Sequence, residues 1–195
     1  MKKNLITAVL MTIATTILLG IIYPLVVTGL AQVLFKDKAN GQLIVQNGQA
    51  IGSRIIGQSF TGPAYFHSRP SAAGTGYDAA TSNGSQLGPT NHALIDRVKS
   101  DVASNQPDHA GPVPIDLVTT SASGLDPHIT PAAAEFQLER VARERGIPPD
   151  QLQQLVARHT DGRQFGFLGE PRVNVLELNL ELDQRLPMRK QANAE

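Results

Sequence analysis

The sequence predicts an α/β protein with one N-terminal transmembrane helix followed by a single small mixed α/β domain. The first observation behind this prediction is a long apolar run near the N-terminus. The second is a pair of short apolar segments joined by Asn47-Gly48, and the third is a set of helix-period segments with capping residues in the C-terminal half. About 160 residues follow the apolar run, enough for one domain with its own core.

The apolar run carries no charged side chain from Leu5 to Phe35. About 20 apolar residues are enough for a helix to cross the hydrocarbon core of a bilayer. A cleaved signal peptide is the alternative, but its apolar core spans only about 7–15 residues and ends at small side chains. This run ends instead at Val33-Leu34-Phe35. We therefore expect a retained membrane anchor.

The flanking charges say little about the orientation of this anchor. Two lysines stand on each side of the run, Lys2 and Lys3 before it and Lys36 and Lys38 after it. The positive-inside rule therefore gives no clear orientation, because the numbers of basic residues on the two sides are equal. A long C-terminal domain is compatible with export. The absence of cysteine suits an oxidising compartment without requiring one.

Small residues recur every fourth position along the anchor: Ala8, Thr12, Thr16 and Gly20, continued by Pro24 and Thr28. Residues at this spacing lie on one side of a helix. Small side chains let a second helix approach closely, and Thr hydroxyls bond across such contacts. The pattern predicts a partner in the membrane, although these residues are also common in membrane helices without one. Pro24 further predicts a kink near Gly20.

Short strands and a long polar loop are expected next. Leu43–Val45 and Ala50–Ile56 flank Asn47-Gly48, a pair that favours a tight β-hairpin turn. The following residues, up to about Asn91, are rich in Gly, Ser, Thr, Asn and Pro. They predict a loop with one brief strand at Ala64–Phe66.

Helices dominate the rest of the chain. Apolar spacing predicts a helix from Asn91 to about Ala103, with Asp101 among its outward residues. After a Pro-rich link at Pro107–Pro114, a strand is expected at Ile115–Val118. The remaining predictions are a helix capped by Thr130 that runs from Pro131 to Arg145 and stops at Gly146, and a second helix at Pro149–His159.

The segment from Val173 to Asp183 is ambiguous from its pattern. Leu alternates with polar residues as in a strand, whereas Leu and Glu are strong helix formers. Asn174 and Glu177 stand at the spacing of a helix capping box. This combination favours a helix.

Recognisable catalytic motifs are missing from the sequence. It contains no His-Glu-x-x-His or Gly-x-Ser-x-Gly pattern, and the five histidines, His67, His92, His109, His128 and His159, show no metal-ligand spacing. The segment Gly52–Ser59 follows phosphate-loop spacing, but Gln58 replaces the essential lysine. We therefore expect no cofactor or metal of its own. With 17 basic and 17 acidic residues the chain has no net charge, so no nucleic-acid partner is expected either.

Several long motifs resemble those of the KdpC family, the C subunits of bacterial potassium-transporting P-type ATPases. They are GSRIIGQSF, YFHSRPSAAGTGYDAATSNGSQLGPTN, DLVTTSASGLDPHITPAAAEFQLERVARERGI and VNVLELNLELD, in family order along nearly the whole chain. The resemblance implies a transmembrane anchor with a short cytoplasmic tail at residues 1–36 and a periplasmic, extracytoplasmic domain at residues 37–195. It also implies placement in the bacterial inner membrane, in contact with lipid.

The resemblance further implies an accessory, non-catalytic role in potassium uptake. Such subunits assemble with a channel-like KdpA, an ATP-hydrolysing KdpB and a small KdpF, and are described as catalytic chaperones that raise the ATP affinity of KdpB. Both ATP and potassium would then act through the complex. Direct contact between this chain and nucleotide receives little support from its residues, since the phosphate-loop lysine is missing.

The candidate partner-binding residues lie on the anchor stripe, Ala8, Thr12, Thr16 and Gly20, and in the polar loops, His67, Arg69, Ser71, Asp78, Ser85, Asp126 and His128. Loops held by a scaffold commonly carry function. The loop residues could equally form ordinary ion pairs and turn hydrogen bonds. Two other functions stay open: a membrane-anchored extracytoplasmic hydrolase using Asp126 and His128, or a solitary binding module.

Overall fold

The computed structural model describes residues 1–106 and 111–188, and the chain forms two compact units, Met1–Ser53 and Arg54–Glu195. His109 and part of the Pro107–Pro114 link lie outside the described residues. The content is mixed helix and strand, as expected for an α/β chain.

The first unit begins with the apolar helix, which runs without a break from Lys2 to Leu34. It consists of α1 (Lys2–Thr15), a π-helical segment (Thr16–Ile22) and α2 (Tyr23–Leu34). This 33-residue helix is long and apolar enough to cross a membrane. No other described part of the chain buries its most apolar 18-residue window. A short helix, α3 (Lys36–Ala39), follows.

The π-helical segment lies where Pro24 disturbs the helix. Proline has no N–H to donate, and its ring crowds the carbonyl four residues earlier, which here belongs to Gly20. A locally wider turn relieves this crowding. The helix thus changes type at Gly20, the position where a kink was predicted.

The predicted hairpin is confirmed. Strand β1 (Leu43–Gln46) pairs antiparallel with β2 (Gln49–Ser53). Asn47 and Gly48 between them have φ angles of +52° and +80°, as the tightest hairpin turns require. The second strand ends at Ser53 rather than at Ile56.

The described residues of the second unit form four α-helices and a small antiparallel sheet. The sheet has the strand order β3-β5-β4, with β3 at His128–Ile129, β4 at Thr160–Asp161 and β5 at Arg172–Asn174. The helices are α4 (His92–Asn105), α5 (Pro131–Arg145), α6 (Pro149–Arg158) and α7 (Val175–Arg185). Fully buried core side chains include Phe66, Ile129, Val141, Leu152, Leu155, Val173, Leu178 and Leu182.

Capping residues set the beginnings of three helices. The side chains of Asn91, Thr130 and Asn174 accept hydrogen bonds from Ala93, Ala133 and Glu177 backbone N–H groups, respectively. Gly146, with φ of +66°, ends α5 in the left-handed conformation. The predicted helices are thus confirmed, including α7, whose alternating leucines were also compatible with a strand.

Two predicted strands are wrong. Residues Ala64–Phe66 form a turn and irregular chain, because side chains of α5 and α7 occupy the hydrogen-bonding groups that a neighbouring strand would use. Ile115–Leu117 forms a 3₁₀ turn instead of a strand. There the buried carboxylate of Asp116 accepts a hydrogen bond from the Thr130 N–H at 2.8 Å, which holds the chain in a turn.

Helix α4 is the least buried of the four. None of its residues is buried, although Leu94, Ile95 and Val98 are partly covered. Asp101, expected on the outer face, is instead partly buried and pairs with Arg97 at 2.9 Å. Burial raises the pKa of Asp101, although the Arg97 charge opposes that shift.

Candidate functional site

The small-residue stripe of the anchor is exposed along its length. Ala8, Thr12, Thr16 and Gly20 are all exposed, and the Thr12 hydroxyl donates to the Ala8 carbonyl at 2.9 Å. A Cβ at Gly20 would approach only Thr16 Cγ2, at 3.8 Å. The helix itself therefore has no need for glycine there, and the outward space is available to another helix.

The π-helical segment affects the line of this stripe. In an α-helix, with about 3.6 residues per turn, each four-residue step overshoots a full turn. A π-helical turn takes more residues, so the same four-residue step advances through a smaller angle between Thr16 and Ile22. The direction of the stripe around the helix therefore changes within this segment.

In the second unit, an ion-paired cluster forms between loops distant in sequence. Arg69 Nη1 lies 3.2 Å from Asp126 Oδ2, and Arg69 also donates to the Thr119 carbonyl and hydroxyl, at 3.3 Å each. Asp126 Oδ1 accepts from the His128 N–H at 3.0 Å and lies 3.4 Å from His128 Nδ1. We call these four residues the Arg69 cluster.

The electrostatics of the cluster favour a charged Asp126. Partial burial alone would raise the pKa of this carboxyl. The hydrogen bonds from the His128 side chain and backbone, together with the Arg69 charge, outweigh that effect and lower the pKa. Asp126 is therefore a carboxylate at neutral pH, held by three donors.

Backbone contacts fix the loops that carry the cluster. Ser71 Oγ donates to the Gly124 carbonyl at 2.6 Å and accepts from the Tyr77 N–H at 2.8 Å. The Tyr77 hydroxyl in turn donates to the Arg69 carbonyl, and burial raises the pKa of this phenol. Gly57 passes so close to the Asp126 backbone that a Cβ there would lie 2.7 Å from the Asp126 carbonyl oxygen.

A cleft of about 710 Å³ opens beside the cluster. Its lining combines apolar side chains with hydroxyls and with Arg69, Asp126 and His128; the other residues are Ile55, Ile56, Thr120, Ser121, Ala122, Ser123, Leu125 and Pro127. A second cleft of about 230 Å³ shares Arg69, Asp126 and His128 and extends to Glu170 and Arg172. The cluster thus lies between two clefts on the surface of the second unit.

The remaining predicted loop residues lie elsewhere. The His67 N–H donates to Gln137 Oε1 at 2.7 Å, and its ring contacts the Gly62 carbonyl. Asp78 caps the 3₁₀ turn Ala79–Thr81, and hydrogen bonds from Thr81 and Ala80 lower its pKa. Ser85 lines a separate cleft of about 470 Å³. The structure therefore brings together Arg69, Asp126 and His128, and Ser71 bonds to the loop backbone at Gly124 and Tyr77.

The amino-acid sequence of the chain resembles those of known proteins over nearly its whole length. The family model of KdpC, described as the c chain of a K⁺-transporting ATPase, matches residues 5–184. The chain belongs to the KdpC family. It is 74% identical over 189 residues to a protein of Koribacter versatilis named "Potassium-transporting ATPase KdpC subunit", with 96% of this chain and 98% of that one covered.

Two further relatives carry the same name. The protein of Acidobacterium capsulatum is 60% identical over 182 residues, covering 93% of this chain and 98% of the relative. That of Rhodospirillum rubrum is 53% identical over 191 residues, covering 96% and 99%. The chain is accordingly an accessory subunit of a potassium-transporting ATPase, and its single candidate membrane helix is consistent with a membrane subunit.

Sequence reasoning missed a set of buried polar side chains that bond to the backbone of residues 63–67: Gln137, Arg140, Arg145 and Asn179. Arg145 donates to the Ala64 carbonyl at 2.7 Å and stacks over Tyr65 at 4.8 Å. Gln137 and Arg145 stand four residues before and after Val141, a fully buried residue of the hydrophobic core. That spacing is the signal that places both on the buried face of α5.

The hydroxyls near the Asp126–His128 pair engage the backbone. Ser123 Oγ accepts from the Leu125 N–H at 3.1 Å, and Ser71 is committed to Gly124. A hydrolase would need one of them directed at the histidine ring. Within residues 1–106 and 111–188, no group of three or more His, Cys, Asp or Glu side chains could hold a metal ion.

Proposed function

We propose that this chain assembles with KdpA, KdpB and KdpF and acts as a non-catalytic chaperone that raises the ATP affinity of KdpB. The proposal places the second unit on the periplasmic side of the bacterial inner membrane. It is carried by one observation: a 33-residue, largely apolar helix has its most apolar window unburied, in a chain whose relatives are named as potassium-transporting ATPase subunits.

The exposed helix supports assembly in the membrane. Lipid removes the hydrophobic drive between helices, so close packing and interhelical hydrogen bonds bring them together. Ala8, Thr12, Thr16 and Gly20 provide a surface of small side chains for this packing. We assign the stripe to contact with the membrane subunits.

Any effect on ATP hydrolysis has to cross the membrane. A periplasmic unit has no access to ATP bound on the cytoplasmic side, so its influence requires a coupling free energy between two distant sites. The membrane helix is one continuous element that could carry this coupling, and contact through the other subunits is a second route. ATP and potassium would therefore be ligands of the complex rather than of this chain.

The Arg69 cluster is our candidate for contact outside the membrane. Its charged groups are only partly exposed, at 25% for Arg69 and 29% for Asp126. They lie between two clefts that combine apolar walls with a few polar groups, a lining found in binding sites generally. A loop of another subunit is the proposed occupant.

The test is a comparison of the assembly with and without this chain. A tagged full-length chain should recover the other three subunits from detergent-solubilised membranes. Omission of the chain should abolish growth at limiting potassium and raise the KM for ATP of the remaining ATPase, and re-expression should restore both. Unchanged growth and kinetics, or substrate turnover by the purified chain alone, would contradict the proposal.

A further inference from the structure

Three apolar side chains are exposed on one short loop between β4 and β5. Phe165 is 87% exposed, Phe167 70% and Leu168 47%. We call residues 162–169 the aromatic loop. Large apolar side chains grouped on a surface commonly mark a contact with another molecule.

The aromatic loop is folded on itself. Gln164 and Leu168 exchange two backbone hydrogen bonds, each of 2.9 Å. The Gly166 N–H donates to the Arg163 carbonyl at 3.1 Å, and the Phe167 N–H donates to the Gln164 carbonyl. A loop that is already ordered loses less conformational entropy on binding than a flexible one.

Phe165 holds an unfavourable backbone conformation. Its φ is +54°, in the left-handed region that bulky residues rarely adopt. Asn or Gly would adopt this φ with less strain. The exposed ring makes no packing contribution that would offset the strain within this unit, and such outliers often mark functional positions.

The charges beside the loop are paired. Arg163 Nη2 lies 2.8 and 3.0 Å from the two oxygens of Glu170. Arg172 lies 3.5 Å from Asp161. These two pairs leave no local excess of basic side chains, which attraction to an anionic lipid surface would require. Exposed phenylalanines among balanced charges instead suit a nonpolar pocket in a protein.

We infer that the aromatic loop docks through Phe165, Phe167 and Leu168 into a nonpolar pocket on another polypeptide of the potassium-transporting ATPase. The inference rests on the proposed assembly and adds a contact that involves neither the membrane stripe nor the Arg69 cluster. Aromatic side chains in well-packed pockets often carry a large share of binding energy. The two phenylalanines should therefore be essential to the contact.

Site-specific crosslinking tests the occupant directly. A benzoylphenylalanine replaces Phe167 in the full-length chain within the membrane-embedded complex, and the same probe at Ile115, which is 70% exposed on a 3₁₀ turn, serves as the control. We expect irradiation to join position 167, and not position 115, to a polypeptide identified as part of the ATPase. Crosslinks only to lipid or to a second copy, or none in a recovered complex, would overturn the inference.

Substitution provides an independent test. Phe165→Asn combined with Phe167→Ser should reduce recovery of the ATPase polypeptides roughly tenfold or more, whereas Ile115→Ser should not. The unfolding temperature of the double variant should be unchanged or higher, because Asn relieves the strain at position 165. Equal recovery for wild type and double variant would overturn the loop contact alone. Failure of the wild-type chain to recover any ATPase polypeptide would overturn the assembly and this inference with it.

Discussion

Asn179 forms two hydrogen bonds with the backbone of Phe66. The Phe66 N–H donates to Asn179 Oδ1 at 3.0 Å, and Asn179 Nδ2 donates to the Phe66 carbonyl at 2.9 Å. Both residues are buried. A carboxamide offers one acceptor and two donors. A side chain of α7 therefore bonds to backbone groups that a neighbouring strand would use if Ala64–Phe66 were the predicted strand.

Replacement of Asn179 by Ala should destabilise the second unit by roughly 2–5 kcal/mol, because it leaves two buried backbone groups without partners. Chemical denaturation of the full-length chain in detergent measures the change. Gln153→Ala, which removes an exposed amide from α6, is the matched control and should change stability by less than about 0.5 kcal/mol. An Asn179→Ala variant as stable as this control would contradict the role of the pair.

The Phe66 contact explains where sequence reasoning succeeded and where it failed. Helices with local signals were predicted correctly: the Thr130 cap, the Gly146 stop and the Asn174 cap each act within a few residues. Ala64–Phe66 has an apolar composition that suits a strand, but its partner lies 113 residues away on a helix. No local pattern contains that information.

Arg145 should be as important to stability as Asn179. Its guanidinium donates to the carbonyls of Ala64 and Leu186 and pairs with Asp183 at 2.7 Å. Arg145→Leu should lower the unfolding free energy by roughly 3 kcal/mol, because it leaves buried hydrogen-bond acceptors without a donor. Arg143→Leu, two residues earlier and 62% exposed, should have little effect in the same denaturation experiment. Equal effects of the two substitutions would refute the assignment.

Gly57 should tolerate no side chain. A Cβ there would lie 2.7 Å from the Asp126 carbonyl oxygen and 2.9 Å from Tyr77 Cε1. Gly57→Ala should therefore displace the loop that carries Asp126 and destabilise the unit by roughly 1–3 kcal/mol. Gly88→Ala, where a Cβ meets nothing within 4 Å, is the control. Thermal unfolding compares the two, and matching midpoints would show that the close approach is absent.

Protonation of Asp126 at low pH should lower the stability of the second unit. The pKa of this carboxyl is lowered in the folded chain, so its contribution is present above the unfolded pKa, about 4. The contribution is lost as pH falls from there through the folded pKa. Asp126→Asn should make the decline in unfolding free energy below about pH 5 shallower. Asp96→Asn, on the exposed surface of α4, controls for the loss of one negative charge. Identical plots of unfolding free energy against pH for Asp126→Asn and wild type would count against the prediction.

Gly20 tests the membrane stripe. Gly20→Leu should leave the helix intact, because the nearest atom to a Cβ is Thr16 Cγ2 at 3.8 Å. A bulky side chain there should nevertheless reduce recovery of the partner subunits roughly tenfold, since close helix approach depends on small residues. Gly29→Leu, where a Cβ meets nothing within 4 Å, should recover them normally. Normal recovery with Gly20→Leu would remove Gly20 from the interface.

The candidate site was predictable in part. Arg69, Asp126 and His128 were recognised as polar loop residues, and Arg69 with Asp126 as a possible ion pair, whereas Thr119 was not. The exposure of the aromatic loop could not be predicted from the sequence, because its apolar residues have the same composition as core residues. Exposure is a property of the whole fold, and a single sequence does not contain it.

The bond from Asn174 to the Arg54 carbonyl, 120 residues away, has a consequence for how the polypeptide is made. Synthesis delivers Arg54 and Phe66 more than 100 residues before the Asn174 and Asn179 side chains that bond to them. The nascent chain therefore lacks these bonds until α7 has been synthesised. Premature termination before α7 would release a fragment that proteases readily degrade.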